Sequence, residues 1–254
     1  VLAHGGKTMA LWEGGSAHEF DAGTLETKGR VTWSSDTEGL PFGAHPKVDQ
    51  DGTLWNVGAN GSFKGFVIYR INPKGHLTDR EVIPTKESHF IHDFLLTQQH
   101  LIFILHPFTF TNADAETYVQ GYEWKENHAS KILVVDKNTL ALKGEYEMPS
   151  NWVFHYGNAW EEKNVLHFDM SSYKDAGIIT SAFQNVMRGE EDRDNHADHY
   201  RVSLNITTKK IAAEKVYSLV EFPVVDPSMV GKENRYTIAL SKQDVGEHRK
   251  DQRL

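Results

Sequence analysis

Phe154-His155-Tyr156-Gly157-Asn158-Ala159-Trp160-Glu161 reads as a strand with an imidazole at its mouth and a Gly-Asn break directly behind it. Working outward, apolar runs of strand length keep recurring. Downstream lie 165–170, 200–206, 212–219 and 236–240. Upstream lie 140–147, 131–136, 101–106, 90–96, 65–71, 54–58, 44–48, 31–33, Glu19-Phe20 and 8–13. Short runs bounded by turn residues are the signature of strands, and the Asp51-Gly52 pair between two of them marks a hairpin. Three strand ends share one kind of turn, in Phe20-Asp21-Ala22-Gly23-Thr24, Ile71-Asn72-Pro73-Lys74-Gly75 and Val135-Asp136-Lys137-Asn138-Thr139. Many short strands at even spacing predict an all-β sandwich, barrel or propeller, and the recurrence of this turn favours the propeller.

One segment breaks the rhythm. Over 176–188 the residues Ile178, Ile179, Ala182, Phe183, Val186 and Met187 fall at three- and four-residue spacings, which predicts one short amphipathic helix. An acidic stretch at 189–195 reads as a solvated loop, and 108–127 shows no period and reads as a long loop or cap. With no linker rich in Pro, Gly or Ser, the chain is expected to form a single domain over 1–254.

The 254 residues carry a net charge of −8 and no basic stretch that could neutralise phosphates, which argues against a nucleic-acid partner. Cysteine is absent, so disulfides, thiolate metal sites and cysteine nucleophiles are excluded. No run of about 18 apolar residues suggests a membrane-spanning helix. The first residues show no charged-then-apolar export pattern, so a cytoplasmic location is expected. No Gly-x-Ser-x-Gly elbow, Gly-rich phosphate loop or distinguished carboxylate pair is present.

Histidine is in excess, at fourteen residues, and neutral imidazole suits zinc, copper, iron and nickel. His45, His92 and His155 each sit in a short frame of polar and apolar residues, 47 and 63 residues apart. Such spacing has no local metal signature, but single ligands on successive propeller blades can meet at the axis. Taken singly, each is more simply a hydrogen-bonded core histidine. His196 and His199, in Asn195-His196-Ala197-Asp198-His199, and His248 in its charged tail read as surface-loop residues. Phe103, Phe108, Phe110, Trp152, Phe154 and Trp160 could line an apolar tunnel, though aromatics at this density are more often core.

Together, Ala10-Leu11-Trp12-Glu13-Gly14-Gly15, Ala44-His45-Pro46-Lys47-Val48-Asp49, Phe90-Ile91-His92-Asp93-Phe94, the stretch around His155, and Glu221-Phe222-Pro223 resemble the carotenoid cleavage dioxygenase family, in that family's order. The resemblance implies a seven-bladed β-propeller, of which this chain would cover the central blades. It implies one Fe(II) held by four histidines, with His45, His92 and His155 matching three of them. Glu13 would then orient His92, and Glu221 would orient His155. A carboxylate partner of this kind fixes the tautomer of a ligand imidazole and raises its basicity. The family's fourth histidine has no evident counterpart here, and the chain reads as a fragment.

The activity so implied is O2-dependent cleavage of a carbon-carbon double bond in an apolar conjugated substrate, a carotenoid or apocarotenoid, giving aldehyde or ketone products. Cleavage of a stilbene is the alternative. That branch of the family tends to carry lysine just before the glutamate, and Trp12 stands there. The resemblance also allows peripheral contact with a membrane. A non-catalytic propeller module, an inactive fragment and a hydrolase with histidine-bound zinc are the readings from other classes.

Overall fold

The computed structural model describes residues 1–61, 63–190 and 195–241. The chain divides into two compact units, Val1–Ser150 and Asn151–Leu254. In the first unit, β1 (Leu2–His4), β2 (Lys7–Ala10), β3 (His18–Phe20) and β4 (Thr27–Arg30) form one antiparallel meander. A second meander contains β5 (Lys47–Val48), β6 (Leu54–Gly58), β7 (Gly65–Ile71) and β8 (Leu77–Pro84). The third begins with β9 (Leu95–Leu96) and β10 (His100–Leu105). It is interrupted by the hairpin β11 (Phe108–Phe110) and β12 (Tyr122–Trp124), and closes with β13 (Ser130–Asp136) and β14 (Leu142–Met148). The second unit holds the meander β15 (Trp152–Glu162), β16 (Val165–Tyr173), β17 (Asp198–Asn205) and β18 (Ile211–Ser218), followed by the pair β19 (Val220–Val224) and β20 (Ile238–Ser241).

The recurring turn is real, and always in the same place. In every four-stranded sheet an Asp or Asn occupies the corner between the third and fourth strands. The Asp21 carboxylate accepts from the Gly23 and Thr24 amides, and that of Asp136 from Asn138 and Thr139. The Asn72 side chain accepts from the Lys74 amide, and Asn205 does the same for Thr207 and Thr208. A side-chain oxygen mimicking a backbone acceptor is what makes these residues turn formers. Backbone donors also hold the Asp21 and Asp136 carboxyls below their usual range. Asn205 is the fourth instance and escaped the sequence pattern. The Asp51-Gly52 hairpin also forms, with Gly52 in the left-handed region at φ 81°.

Burial explains which strands were legible. The middle strands β6, β7 and β10 are buried almost throughout, and their continuous apolar runs were found. Strand β8, Leu-Thr-Asp-Arg-Glu-Val-Ile-Pro, lies mostly exposed as a fourth strand and carries no apolar period to detect. Residues 31–33 are not a strand. Val31 donates to the Ala17 carbonyl just past β4 and packs with Met9, Phe42, Leu54 and Tyr69 in a core cluster. Of 90–96, only Leu95–Leu96 pairs as a strand. The stretch read as a loop over 108–127 contains the β11–β12 hairpin, whose Phe108, Phe110 and Tyr122 rings pack on one another.

The expected helix is present, but in two parts. A wide π-type turn at Ile178–Ala182 runs into a short α-helix, α1 (Phe183–Met187). Ala176, Ile178, Ile179 and Ala182 are buried, whereas Val186 and Met187 are 61% and 87% exposed. The π turn shifts the helical phase, so the apolar positions stop sharing one face after Ala182. Among the described residues no helix is long and apolar enough to cross a membrane. His248 lies outside the described residues, as does most of the acidic stretch.

Candidate metal centre

Each candidate ligand stands at the first strand of a meander: His45 just before β5, His92 just before β9, His155 inside β15. In the first unit, close backbone packing sets the path to His45. Phe42 N donates to Gly15 O (2.7 Å), Gly43 N to Val57 O (2.8 Å), and the Tyr69 hydroxyl to Pro41 O (2.9 Å). Gly58 permits this approach, since a Cβ there would sit 1.7 Å from the Pro41 oxygen. The neighbouring ion pair Lys47–Asp93, 2.7 Å long with Asp93 2% exposed, joins the segment after His45 to the residue after His92. The two imidazoles face each other, with ring centroids 4.3 Å apart.

The His92 Nδ1–H donates to the Glu13 carboxylate, which fixes the tautomer whose Nε2 carries the lone pair a metal would take. Glu13 follows β2 in Trp12-Glu13-Gly14-Gly15. The two glycines make room for rings: a Cβ on Gly14 would lie 2.8 Å from Tyr118 and one on Gly15 2.1 Å from the Trp12 indole nitrogen. Trp12 meets Tyr118 edge-on at 5.8 Å, and the Tyr122 hydroxyl donates to that of Tyr118 at 3.1 Å. Burial, together with the neighbouring Tyr122, pushes the Tyr118 phenol well above its usual range, and burial also raises that of Tyr122.

The second unit repeats the pairing. His155 Nδ1–H donates to Glu221 Oε2 at 3.0 Å, and the same oxygen accepts from the Phe222 amide. Leu219 and Phe222, on either side of the glutamate, both hold left-handed backbones, with φ 59° and 56°. Conformations this unfavourable for a side chain larger than hydrogen persist only where surroundings enforce them, and they gather at functional sites. The Phe222 ring lies over the His155 imidazole with centroids 4.7 Å apart. Glu221 Oε1 is buried without a hydrogen-bond partner, and burial plus this carboxylate push the Tyr173 phenol up.

The donor set suits a borderline metal such as ferrous iron: imidazoles, two of them locked in one tautomer by a carboxylate that adds negative charge behind the ring. One sequence reading needs correction. His199 is not a surface-loop residue; it is 6% exposed on β17, with Ser171 Oγ 3.3 Å from its Nδ1, and burial pushes its pKa down. The aromatic residues weighed as a tunnel lining fit the core reading preferred for them: Phe103, Phe108 and Trp152 have no exposed surface, Phe154 and Trp160 are buried, and Phe110 packs on Tyr122.

Antiparallel four-stranded meanders, three of which open on a candidate ligand, define a propeller-type protein with carboxylate-supported histidines. Residues 1–251 match the model of the RPE65 family, described as retinal pigment epithelial membrane protein, and the chain belongs to that family. It is 25% identical over 242 residues to isoeugenol monooxygenase of Pseudomonas nitroreducens, covering 93% of this chain and 51% of the relative. It is 26% identical to apocarotenoid-15,15'-oxygenase of Synechocystis (91% and 50% covered) and 26% identical to carotenoid 9,10(9',10')-cleavage dioxygenase 1 of Pisum sativum (96% and 46%). The chain thus spans about half the length of these relatives. Among solved structures, lignostilbene dioxygenase of Pseudomonas brassicacearum superposes with a TM-score of 0.80 at 22% identity, covering 95% of this chain and 52% of that one. An ACO/RPE65 chimera gives 0.78 at 22% identity, covering 95% and 53%. The fold is that of these β-propeller proteins.

Proposed function

We propose that the chain is part of a non-haem iron(II) oxygenase that uses O2 to split a carbon-carbon double bond of an apolar, conjugated carotenoid or apocarotenoid. The observation carrying this reading is the twofold occurrence of one device, Glu13 on His92 and Glu221 on His155. A merely structural histidine has no need of a carboxylate that pins its tautomer. In this reading His45, His92 and His155 would each give one ligand to a single ion. When bound, ferrous iron supplies the redox chemistry that activates O2. The protein's part is to hold the imidazoles in the tautomer that offers the Nε2 lone pair, keep compensating charge behind them, and present an apolar wall in Trp12 and Tyr118 against which an alkene can be oriented.

Stilbene-type substrates form the second reading: the isoeugenol monooxygenase relatives are named for an aryl-conjugated alkene, as a stilbene also is, while the tryptophan at position 12 disfavours it. The test is anaerobic Fe(II) binding to the chain and to His45→Ala, His92→Ala and His155→Ala, followed by O2 uptake with an apocarotenoid and with a stilbene. Stoichiometric binding lost in each variant supports the centre, and the preferred substrate separates the two readings. Absence of binding both here and in a longer version of the protein would remove the oxygenase assignment in favour of a non-catalytic propeller. Turnover without O2 uptake would favour a hydrolase.

A further inference from the structure

Asn158 lies three positions beyond His155 on β15. In a regular strand, side chains three apart point to opposite faces. Here they do not, because β15 breaks register against β16 twice, between Val153 and Tyr156 and again between Tyr156 and Ala159. Each break inserts one residue on the β15 side, and such bulges re-aim side chains. Both His155 and Asn158 consequently reach the β19–β20 hairpin. His155 meets Glu221 on β19. Asn158, 4% exposed, meets the connection between the two strands. Its Nδ2 donates to Met229 O (3.0 Å), Lys232 O (2.8 Å) and Asn234 Oδ1 (2.8 Å), and its Oδ1 accepts from Gly231 N (3.1 Å). Asn234 passes the link on to Tyr236 O and Thr237 Oγ1, at the entry to β20. Gly157 permits the close approach, since a Cβ there would lie 3.2 Å from Asp169 and 3.4 Å from Pro223.

We infer that Asn158 is a positioning residue for the metal centre: it clamps the hairpin so that Glu221 stays on His155 Nδ1–H and the Nε2 lone pair is the one offered to a metal. The inference rests on the reading of His155 as a ligand. Its physical basis is that the two flanking left-handed residues, Leu219 and Phe222, would relax if the hairpin were released, carrying the carboxylate away. No aliphatic residue replaces an amide that both donates and accepts here. A carboxylate at the same place would face three acceptor oxygens, Met229 O, Lys232 O and Asn234 Oδ1.

The experiment measures the His155 tautomer by 15N NMR in the metal-free chain at pH 8, amide exchange over 220–224, and Co(II) affinity. The wild type is compared with Asn158→Ala, Asn158→Asp and the milder Asn234→Ala. Leu204→Ala, a fully buried β17 residue away from the hairpin, serves as a control for lost stability alone. The expected result is a single Nδ1–H tautomer in the wild type and the control. The Asn158 variants should show a mixed population, exchange at 220–224 at least about tenfold faster, and Co(II) binding about tenfold weaker. Asn234→Ala should fall between and remains informative if the Asn158 variants do not fold. Variants that lose stability but keep the wild-type tautomer and protection, as the control does, would overturn the inference. If the wild type binds no cobalt yet the tautomer still follows Asn158, the ligand reading fails and the clamp stands. If Asn158→Ala binds cobalt like the wild type with an unchanged tautomer, the clamp fails and the ligand reading stands.

Discussion

The ion pair between Lys47 and Asp93 gives a prediction with an asymmetry that can be worked out beforehand. The Asp93 side chain is 2% exposed and that of Lys47 22% exposed. Lys47→Met strands a buried carboxylate without its cation, and breaking a buried pair in this way costs about 3–5 kcal/mol. Asp93→Asn keeps an acceptor for the Phe94 amide, which Asp93 holds at 2.8 Å, and leaves a lysine whose partly exposed end can turn to water. That loss is closer to the surface-pair value of about 1 kcal/mol. The double variant should cost less than Lys47→Met alone, because no uncompensated charge then remains. Urea unfolding of the four proteins at pH 7 measures this directly. A Lys47→Met cost no greater than that of Asp93→Asn would refute the reasoning and make the pair a solvent-screened contact.

Glu13→Ala should weaken Co(II) binding about 10- to 100-fold with the fold intact by circular dichroism, and Glu13→Gln, which keeps an acceptor for His92 Nδ1–H, should lose less. Burial holds His89 and His199 below the usual histidine pKa, so near pH 6 the unfolded chain binds protons that the folded chain does not. Stability should therefore fall as the pH drops from about 7 through 6 and toward the lowered folded values. His89→Phe should flatten that slope in urea midpoints, and a wild-type profile already flat over this range would contradict the burial argument.

Much of the fold was legible because buried middle strands announce themselves by continuous apolar runs, as β7 and β10 do, and because Asp21, Asn72 and Asp136 each sit where a side-chain oxygen closes a corner. What escaped was exposed or context-dependent. Strand β8 is charged along its outer side, and β19 carries Glu221 and a proline in place of an apolar run. The hairpin β11–β12 pairs segments a dozen residues apart with no local period. At the site, His92 and Glu13 are 79 positions apart and His155 and Glu221 are 66 apart. Only the resemblance could pair them, and the structure then brought each glutamate to its histidine. The buried role of His199 and the reach of Asn158 were hidden for a different reason. Both depend on which face of a strand a residue takes, and bulges in β15 defeat the simple alternation.

The four meanders have a consequence for how the protein is made. Each is built from contiguous chain, with most of its strands paired over short loops, and can form as soon as its own residues leave the ribosome. The contact between His155 and Glu221 cannot. When His155 is synthesised its carboxylate does not yet exist, and its imidazole is free to protonate at either nitrogen until Glu221 arrives on a later strand. The sheets come first, and the chemistry of the ligands is settled only when the chain closes back on them. A nascent chain is thereby kept from presenting a finished site before its scaffold is in place.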